Sequence, residues 1–302
     1  MKNSISSQKF KFRDLPHLLI DTAKAWNNAD PWRLSAIIAY YAVLSLPALL
    51  VIIINIVGTI WGEEIVQGKL TSEITIALGK DVADSIQSMI KNSKIEDKSF
   101  ISSLIGIIVL IFASTGVFYQ LQISLNKVWQ LKPNPKAGIL KIITDRAKSF
   151  GFIIVIGFLL LISFIVSAGI STITNFINDT LPDFMLYITN IIDIVISLAI
   201  ISLLFALMFK FLPDAKIRWK SVWLGAVITA VLFVIGKFLL ELYFEEMNPA
   251  STYGAAGSIV LILLWVSYSS LILFFGAEFT YIYSKRYNLS IQPTTIAIKE
   301  ES

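Results

Sequence analysis

Six stretches of the chain, near residues 34–57, 101–125, 150–174, 185–209, 222–243 and 257–283, are almost unbroken runs of aliphatic and aromatic residues. An α-helix rises about 1.5 Å per residue, so each run is long enough to cross roughly 30 Å of hydrocarbon. In hydrocarbon every peptide N–H and C=O needs an internal partner, which leaves helices or a closed barrel, and uniformly apolar runs of this length are helical. The spacing predicts an all-α fold, a polytopic membrane helix bundle with six transmembrane helices plus short amphipathic interfacial helices, as a single membrane domain over 1–302. Composition removes the soluble alternative, because 56% of the residues are hydrophobic and 15% charged, against about 25% charged in ordinary globular domains.

Prolines and capping residues place the remaining elements. Asp30-Pro31 offers a cap and a proline at the first helical position of the first span. Pro47, near the middle of that span, has no N–H to donate and predicts a helix kink. Pro133 and Pro135, Asp179 to Pro182, Leu212-Pro213 and Asn248-Pro249 break the chain between later spans. Ahead of the first span, Leu15 to Ile20 is too short an apolar run for a secretory signal and is interrupted by His17. Asp14 can cap a helix over 15–29 whose face of Leu15, Leu18, Leu19, Ala23 and Trp26 would lie on the membrane surface, with Trp26 and Trp32 at headgroup depth. Residues 288–302 read as a flexible tail.

Loop charge sets the orientation. Nineteen lysines and arginines fall on the side of the N-terminus, the second and fourth connections and the C-terminal tail, and five on the other side, all in the first connection. Both termini are therefore expected in the cytoplasm. The first connection, 58–99, is the only sizeable outer element, and Val82, Ile86, Met89 and Ile90 share one face of a helix there. That helical loop reads first as a lid on the outer face, and second as a docking site for an envelope protein or another copy of the chain.

Few side chains offer chemistry. Cysteine is absent and His17 is the only histidine, so thiolate metal sites and a cysteine nucleophile are excluded. No P-loop, G-x-S-x-G elbow or H-E-x-x-H helix occurs, and the expectation is a protein without cofactor or metal that is not an enzyme. The formal net charge of +4 is modest, and in a membrane chain it points to anionic lipid, not to nucleic acid. The first and last three spans show no internal repeat, so an inverted-repeat carrier is not indicated.

Polarity inside the spans carries the functional signal, since an ionisable group at mid-bilayer costs about 2.5–3.5 kcal/mol unless paired or wet. Asp193 lies in the outer half of the fourth span, on a stripe with Asn190 and Ser197. Lys237 and Glu241 sit one turn apart on the fifth, and a Lys237–Asp193 contact is predicted. Glu278, near the inner end of the sixth, is within reach of Lys285 or of the cations at 216–220. The second span adds Thr115, Tyr119, Gln122 and Asn126 at i, i+4, i+7 and i+11, a stripe that should face the bundle interior or an inward-opening cavity near Tyr40, Tyr41 and Ser45. Each group has a plainer reading as interhelical glue, worth about 0.6 kcal/mol per hydrogen bond on average. The glycines at 151, 157, 254 and 257 read as close-approach points between helices.

Three motifs point to a family. Ser35-Ala-Ile-Ile-Ala-Tyr-Tyr-Ala-Val-Leu-Ser-Leu-Pro47, Gly116-Val-Phe-Tyr-Gln-Leu-Gln-Ile-Ser-Leu-Asn-Lys-Val-Trp129, and Tyr253-Gly-Ala-Ala-Gly-Ser through Leu264-Trp265 to Gly276-Ala-Glu-Phe279 resemble, in this order and spacing, the YihY/BrkB family. The resemblance runs from about residue 15 to 287 and implies a multi-pass protein of the bacterial inner membrane. Some members are associated with virulence or serum resistance, and the family has carried the label ribonuclease BN. RNA hydrolysis needs a metal cluster or an acid–base pair in a basic groove. The sequence has no such constellation, and the label is rejected. Two classes remain: a transporter or lipid-handling protein in contact with membrane lipids, and a non-transporting envelope-integrity scaffold.

Overall fold

The computed structural model describes residues 12–78, 80–92, 108–109, 111–178, 182–247, 253, 256–289 and 291–300; the side chains of 163–190 and of Asp193 are among those outside the description. The described residues form nine α-helices: α1 Leu15–Asn28, α2 Pro31–Trp61, α3 Glu63–Leu78, α4 Lys80–Asn92, α5 Gly116–Val128, α6 Gly138–Asn178, α7 Pro182–Phe211, α8 Trp219–Met247 and α9 Gly257–Arg286. Four segments, Pro31–Trp61, Ile194–Phe211, Trp219–Phe244 and Gly257–Arg286, are long and apolar enough to cross a membrane. Of the other two expected spans, 150–174 lies within α6, and 101–125 is described only in part. A helical stretch at 111–114 leads through a turn at Thr115 into α5, with Thr115 N–H donating to Ile111 O and Tyr119 N–H to Thr115 O. α2 runs unbroken through Pro47.

α9 is the central helix, packed along α2 and α8 and touched by α1, α4 and α5. Its contact with α8 is set by two reciprocal glycine–threonine pairs. A Cβ on Gly276 would lie 1.7 Å from Thr229 Oγ1, and one on Gly225 would lie 1.9 Å from Thr280 Oγ1. Each threonine hydroxyl donates to the carbonyl of the glycine one turn before it, Thr229 to Gly225 and Thr280 to Gly276, so neither is left unsatisfied in the dry interface. Of the glycines expected at close approaches, Gly157 meets Val57 at 3.2 Å, whereas a Cβ on Gly151 would meet nothing within 4 Å. The lipid-facing side stays apolar, with Phe158, Ile194, Val195, Phe238 and Leu239 exposed.

The helices alternate in direction and sort the connections to two ends. α1 docks on the C-terminal end of α9, where Leu18 packs against Phe279, Tyr283 and Tyr287. The α5–α6 and α7–α8 connections and the C-terminal segment meet at this same basic end. At the opposite end the α3–α4 hairpin covers the bundle, with Val82, Ile86 and Ile90 buried and Ser85 Oγ donating to Ser258 Oγ at the start of α9.

Three local expectations are corrected. Asp14 makes no side-chain cap, and its carboxylate instead accepts from Tyr287 Oη at 2.8 Å. Asp30 adopts a left-handed backbone (φ 58°) and turns its carboxylate to Arg33 Nε at 2.5 Å, not to the helix N-terminus. Within 288–302, expected as a flexible tail, the described residues 291–300 include two paired strands: β3 (Gln292–Pro293) pairs antiparallel with β2 (Ala215–Lys216), and β4 (Ala297–Lys299) with β1 (Leu131–Pro133). Backbone groups of the two connections would otherwise lack partners, and the tail satisfies them: Thr294 N–H donates to Asp214 O, Glu300 N–H to Gln130 O, and Asn134 N–H to Ile296 O.

Candidate functional site

The polar residues of α5 meet α6 and the α7–α8 connection at the basic end. Helical periodicity puts Gln122 and Asn126 on one face of α5, and Lys141, Asp145 and Lys148 on one face of α6. α6 has 41 residues, roughly 60 Å at 1.5 Å per residue, about twice the hydrocarbon thickness, so its first turns stand outside the apolar layer. The turn Leu212-Pro213-Asp214 brings a second carboxylate between them.

Asp214 is the hub and is 0% exposed. Its Oδ1 accepts from Lys148 Nζ at 2.5 Å and Gln122 Nε2 at 3.0 Å, and its Oδ2 from Lys141 Nζ at 2.8 Å and Asn126 Nδ2 at 2.9 Å. Those four bonds fill the lone-pair sites of a carboxylate. Its own N–H donates to Asn126 Oδ1 at 2.8 Å, so Asn126 grips both ends of the residue. Asp145, 3% exposed, accepts from Gln122 Nε2 at 2.7 Å and Lys141 Nζ at 2.9 Å. Two carboxylates and two ammonium groups make a neutral quartet, the arrangement that lets charge persist away from water. Burial alone would raise the Asp214 carboxyl, but the hydrogen bonds and charges of Lys141 and Lys148 reverse it and hold it below its ordinary 3.8. Burial likewise opposes the charge of Lys141, and its bonds to Asp214 and Asp145 win, holding it above its ordinary 10.5.

Beside the quartet lies a cavity of about 320 Å³. It is lined by Tyr119, Gln122, Ile123, Asn126 and Lys127 of α5, Lys141 and Asp145 of α6, and Leu131, Lys132, Pro133 and Glu300 of the strands and their flanks. Arg146 flanks it, with its guanidinium 3.9 Å from the Phe112 ring centroid and 4.8 Å from that of Tyr119, and donates to Thr115 Oγ1 at 3.0 Å.

The structure brings together Thr115, Tyr119, Gln122 and Asn126, and sets Tyr41 against the start of α5, where a Cβ on Gly116 would lie 3.6 Å from its ring and 3.0 Å from Ser45 Oγ. Tyr40 stacks edge-on against Tyr41 at 5.5 Å, and both are exposed. Lys237 Nζ pairs with Glu241 Oε1 at 3.5 Å, both part-exposed. The expected Lys237–Asp193 contact falls on a side chain outside the described residues, as does Asn190. Glu278 is 5% exposed, and among the described residues it pairs with neither Lys285 nor the cations at 216–220. Lys216, Arg218, Lys220 and Lys285 keep their charges exposed to water, which is cheaper than following a carboxylate into the bundle. Sequence reasoning missed Asp145, Asp214, Lys141 and Lys148 as a site. No group of three or more potential metal-ligating residues occurs among the described residues.

Residues 22–297 match the family model described as Virulence factor BrkB. The chain is similar to a UPF0761 membrane protein of Verminephrobacter eiseniae, at 24% identity over 178 residues, 59% of this chain and 40% of that protein. It is also similar to one of Tolumonas auensis, at 35% over 75 residues, 24% and 25% of the two chains. A third, UPF0761 membrane protein MS0032 of Mannheimia succiniciproducens, is 24% identical over 211 residues, 67% of this chain and 65% of that protein. The chain spans less than two thirds of the length of each of these three relatives. No solved structure matches.

Proposed function

We propose that this chain, which belongs to the Virulence factor BrkB family of membrane proteins, is a transporter or lipid-handling protein whose substrate enters the cavity between α5 and α6. The observation that carries the reading is the space itself. Polar stripes that serve only as interhelical glue close against each other, whereas Gln122 and Asn126 border about 320 Å³ of open volume. Behind them the quartet of Lys141, Asp145, Lys148 and Asp214 acts as a rigid charged floor. With no nucleotide motif in the sequence, movement would be downhill, gradient-driven or partner-driven. The carboxylates of the quartet are spent on lysines and amides, so the reading assigns no catalytic step.

The basic end is the cytoplasmic face of a bacterial inner membrane in this reading, with both termini inside. Reporter fusions after residue 302 should be active only as cytoplasmic reporters; an outer-side signal would reverse the site's orientation. For the function, purified protein in liposomes is assayed for lipid scrambling and solute uptake. Filling the cavity with Ile123→Trp and Leu131→Trp, which leaves the quartet untouched, should cut the wild-type rate towards that of empty vesicles. Wild-type protein indistinguishable from empty vesicles in both arms would remove the reading.

A scaffold reading has one observation in its favour. At the opposite end, where α2 passes into the α3–α4 hairpin, Ile60 and Ile65 are exposed beside Glu63 and Glu64. A docked envelope protein or second copy should then give cross-links from residues 58–78 in whole cells, and their absence would leave the hairpin as a lid.

A further inference from the structure

The connection from α7 to α8 carries four cations, Lys210, Lys216, Arg218 and Lys220, and one carboxylate, Asp214. Asp214 is turned inward and committed to the quartet and its amides. The extended stretch 215–218 alternates, with Ala215 and Ile217 buried and Lys216 and Arg218 exposed, which is the period of a strand. Lys220 follows, also exposed, in the first turn of α8, which holds no acidic residue. Opposite Lys216 in the β2–β3 pair stands the uncharged Gln292. The carboxylates of α1 are engaged elsewhere, Asp14 with Tyr287 and Asp21 with Arg286. Among the described residues none of the four cations pairs with a carboxylate, whereas Arg33, Lys141, Lys148 and Arg286 at the same end all do.

Beside these charges lies an aromatic shelf. Phe211 and Trp219 meet edge-on at 5.9 Å, Trp223 lies 6.4 Å from Trp219, and all three rings are exposed. Lys210 fixes the shelf, because its Nζ donates to Ile217 O and stands 5.4 Å from the Trp219 ring centroid. Trp219 and Trp223 begin a stripe at i, i+4 that continues through the exposed Val227 and Val231. Another face of α8 is packed, with Leu224 and Ile228 against Leu18, Phe279 and Tyr283. On a helix long and apolar enough to cross a membrane, the exposed apolar stripe faces lipid, and tryptophans at its end mark headgroup depth. Lys216, Arg218 and Lys220 therefore stand at headgroup level beside an apolar surface.

A zwitterionic headgroup brings its own ammonium into this patch, where it meets like charge and no free carboxylate. A headgroup of net negative charge meets only complementary charge. Free phosphate would gain nothing from the shelf. We propose that the α7–α8 connection binds an anionic phospholipid in the leaflet at the basic end, with its phosphate among Lys216, Arg218 and Lys220 and its upper chains over Phe211, Trp219 and Trp223. This surface shares no residue with the lining of the cavity between α5 and α6, and the assignment goes beyond the transport reading without depending on it.

Full-length protein is delipidated in detergent and equilibrated with phosphatidylglycerol and phosphatidylethanolamine of matched chains, and bound lipid is counted by native mass spectrometry. Phosphatidylglycerol should be retained at least about tenfold over phosphatidylethanolamine. The triple variant Lys216→Gln, Arg218→Gln, Lys220→Gln should lose about tenfold of that retention with its thermal midpoint unchanged. Lys24→Gln, Lys136→Gln, Lys285→Gln removes the same charge from other exposed positions at this end and should stay within about twofold of wild type. In liposomes, phosphatidylglycerol brominated on its chains should quench tryptophan fluorescence more than brominated phosphatidylethanolamine, and the excess should vanish in a Trp219→Phe, Trp223→Phe variant. This second arm stands even if the triple variant at 216–220 does not fold. Equal retention of the two lipids by wild type, equal loss in the two triple variants, which is the signature of diffuse surface attraction, or excess quenching that survives without the two tryptophans overturns the assignment.

Discussion

Replacing Asp214 with alanine tests whether the quartet holds the basic end together. The substitution removes four side-chain acceptor bonds at once. Lys141 and Gln122 keep Asp145, so the loss concentrates on Lys148, which has no other carboxylate among the described residues, and on Asn126 Nδ2. Breaking a buried pair costs about 3–5 kcal/mol, and stranding a buried amide N–H about 1–3 kcal/mol. The Lys148 side chain is 25% exposed, and its access to water trims the first figure to bring the net to about 4 kcal/mol. In a chain of this size that lowers the unfolding midpoint by roughly 10 °C. Tryptophan fluorescence during heating in detergent suits the protein, since it has seven tryptophans, and thiol-reactive dyes would find no cysteine. Adding Lys148→Met to Asp214→Ala removes the stranded charge, so the double variant should lose less than the sum of the singles by about 1.5–3 kcal/mol. A midpoint within about 2 °C of wild type for Asp214→Ala, or strict additivity in the double variant, would refute the account.

The quartet also fixes a pH window. Asp214, held below 3.8, contributes stability that is present above that value and lost as pH falls through its folded value; Lys141, held above 10.5, contributes stability present below that value and lost as pH rises through its folded one. The quartet's contribution to the unfolding midpoint should therefore be level from about pH 5 to 9 and fall on both sides, and Asp214→Ala should flatten the acid limb; an unchanged acid limb would count against it. In the α8–α9 contact, Gly276→Ala drives a methyl into Thr229 and should cost about 1–3 kcal/mol. Gly151→Ala, with open space around it, should be neutral or stabilising by up to about 1 kcal/mol, and equal effects at the two sites would contradict the packing. Ending the chain at Leu289 removes the donors to Asp214 O and Gln130 O, so hydrogen exchange should quicken at 212–217 and 130–134 while α2 and α9 keep their protection; unchanged exchange would show that the tail clamps nothing.

What was legible in the sequence was local. Apolar length marked the spans, and the i, i+4, i+7 spacing marked the α5 stripe, because both are written within one helix. The stripe's partners were not, since Asn126 and Gln122 reach Asp214 across 88 and 92 residues, and no periodicity connects such distances. Yet a signal was present. Asp145 is the one acidic residue in the basic connection from Lys127 to Ser149, and Asp214 the one in that from Lys210 to Ser221. Counting loop lysines for orientation treated both connections as solvated charge. A lone carboxylate amid lysines is better read as their buried counter-ion. The tail was misread for a related reason: Ile291, Ile296, Ile298 and the threonines between them suit a strand, but a strand needs a partner, and the partners lie in those same connections. The glycines read as close approaches were not the tightest ones: Gly151 meets nothing, and the α8–α9 contact uses Gly225 with Thr229 and Gly276 with Thr280, small residues at i, i+4 whose partners lie on another helix. Loop charge at the basic end thus divides in two. Lys141 and Lys148 are neutralised inside the protein, while Lys127 and Lys132 stay exposed to water and count towards the loop charge that sets orientation.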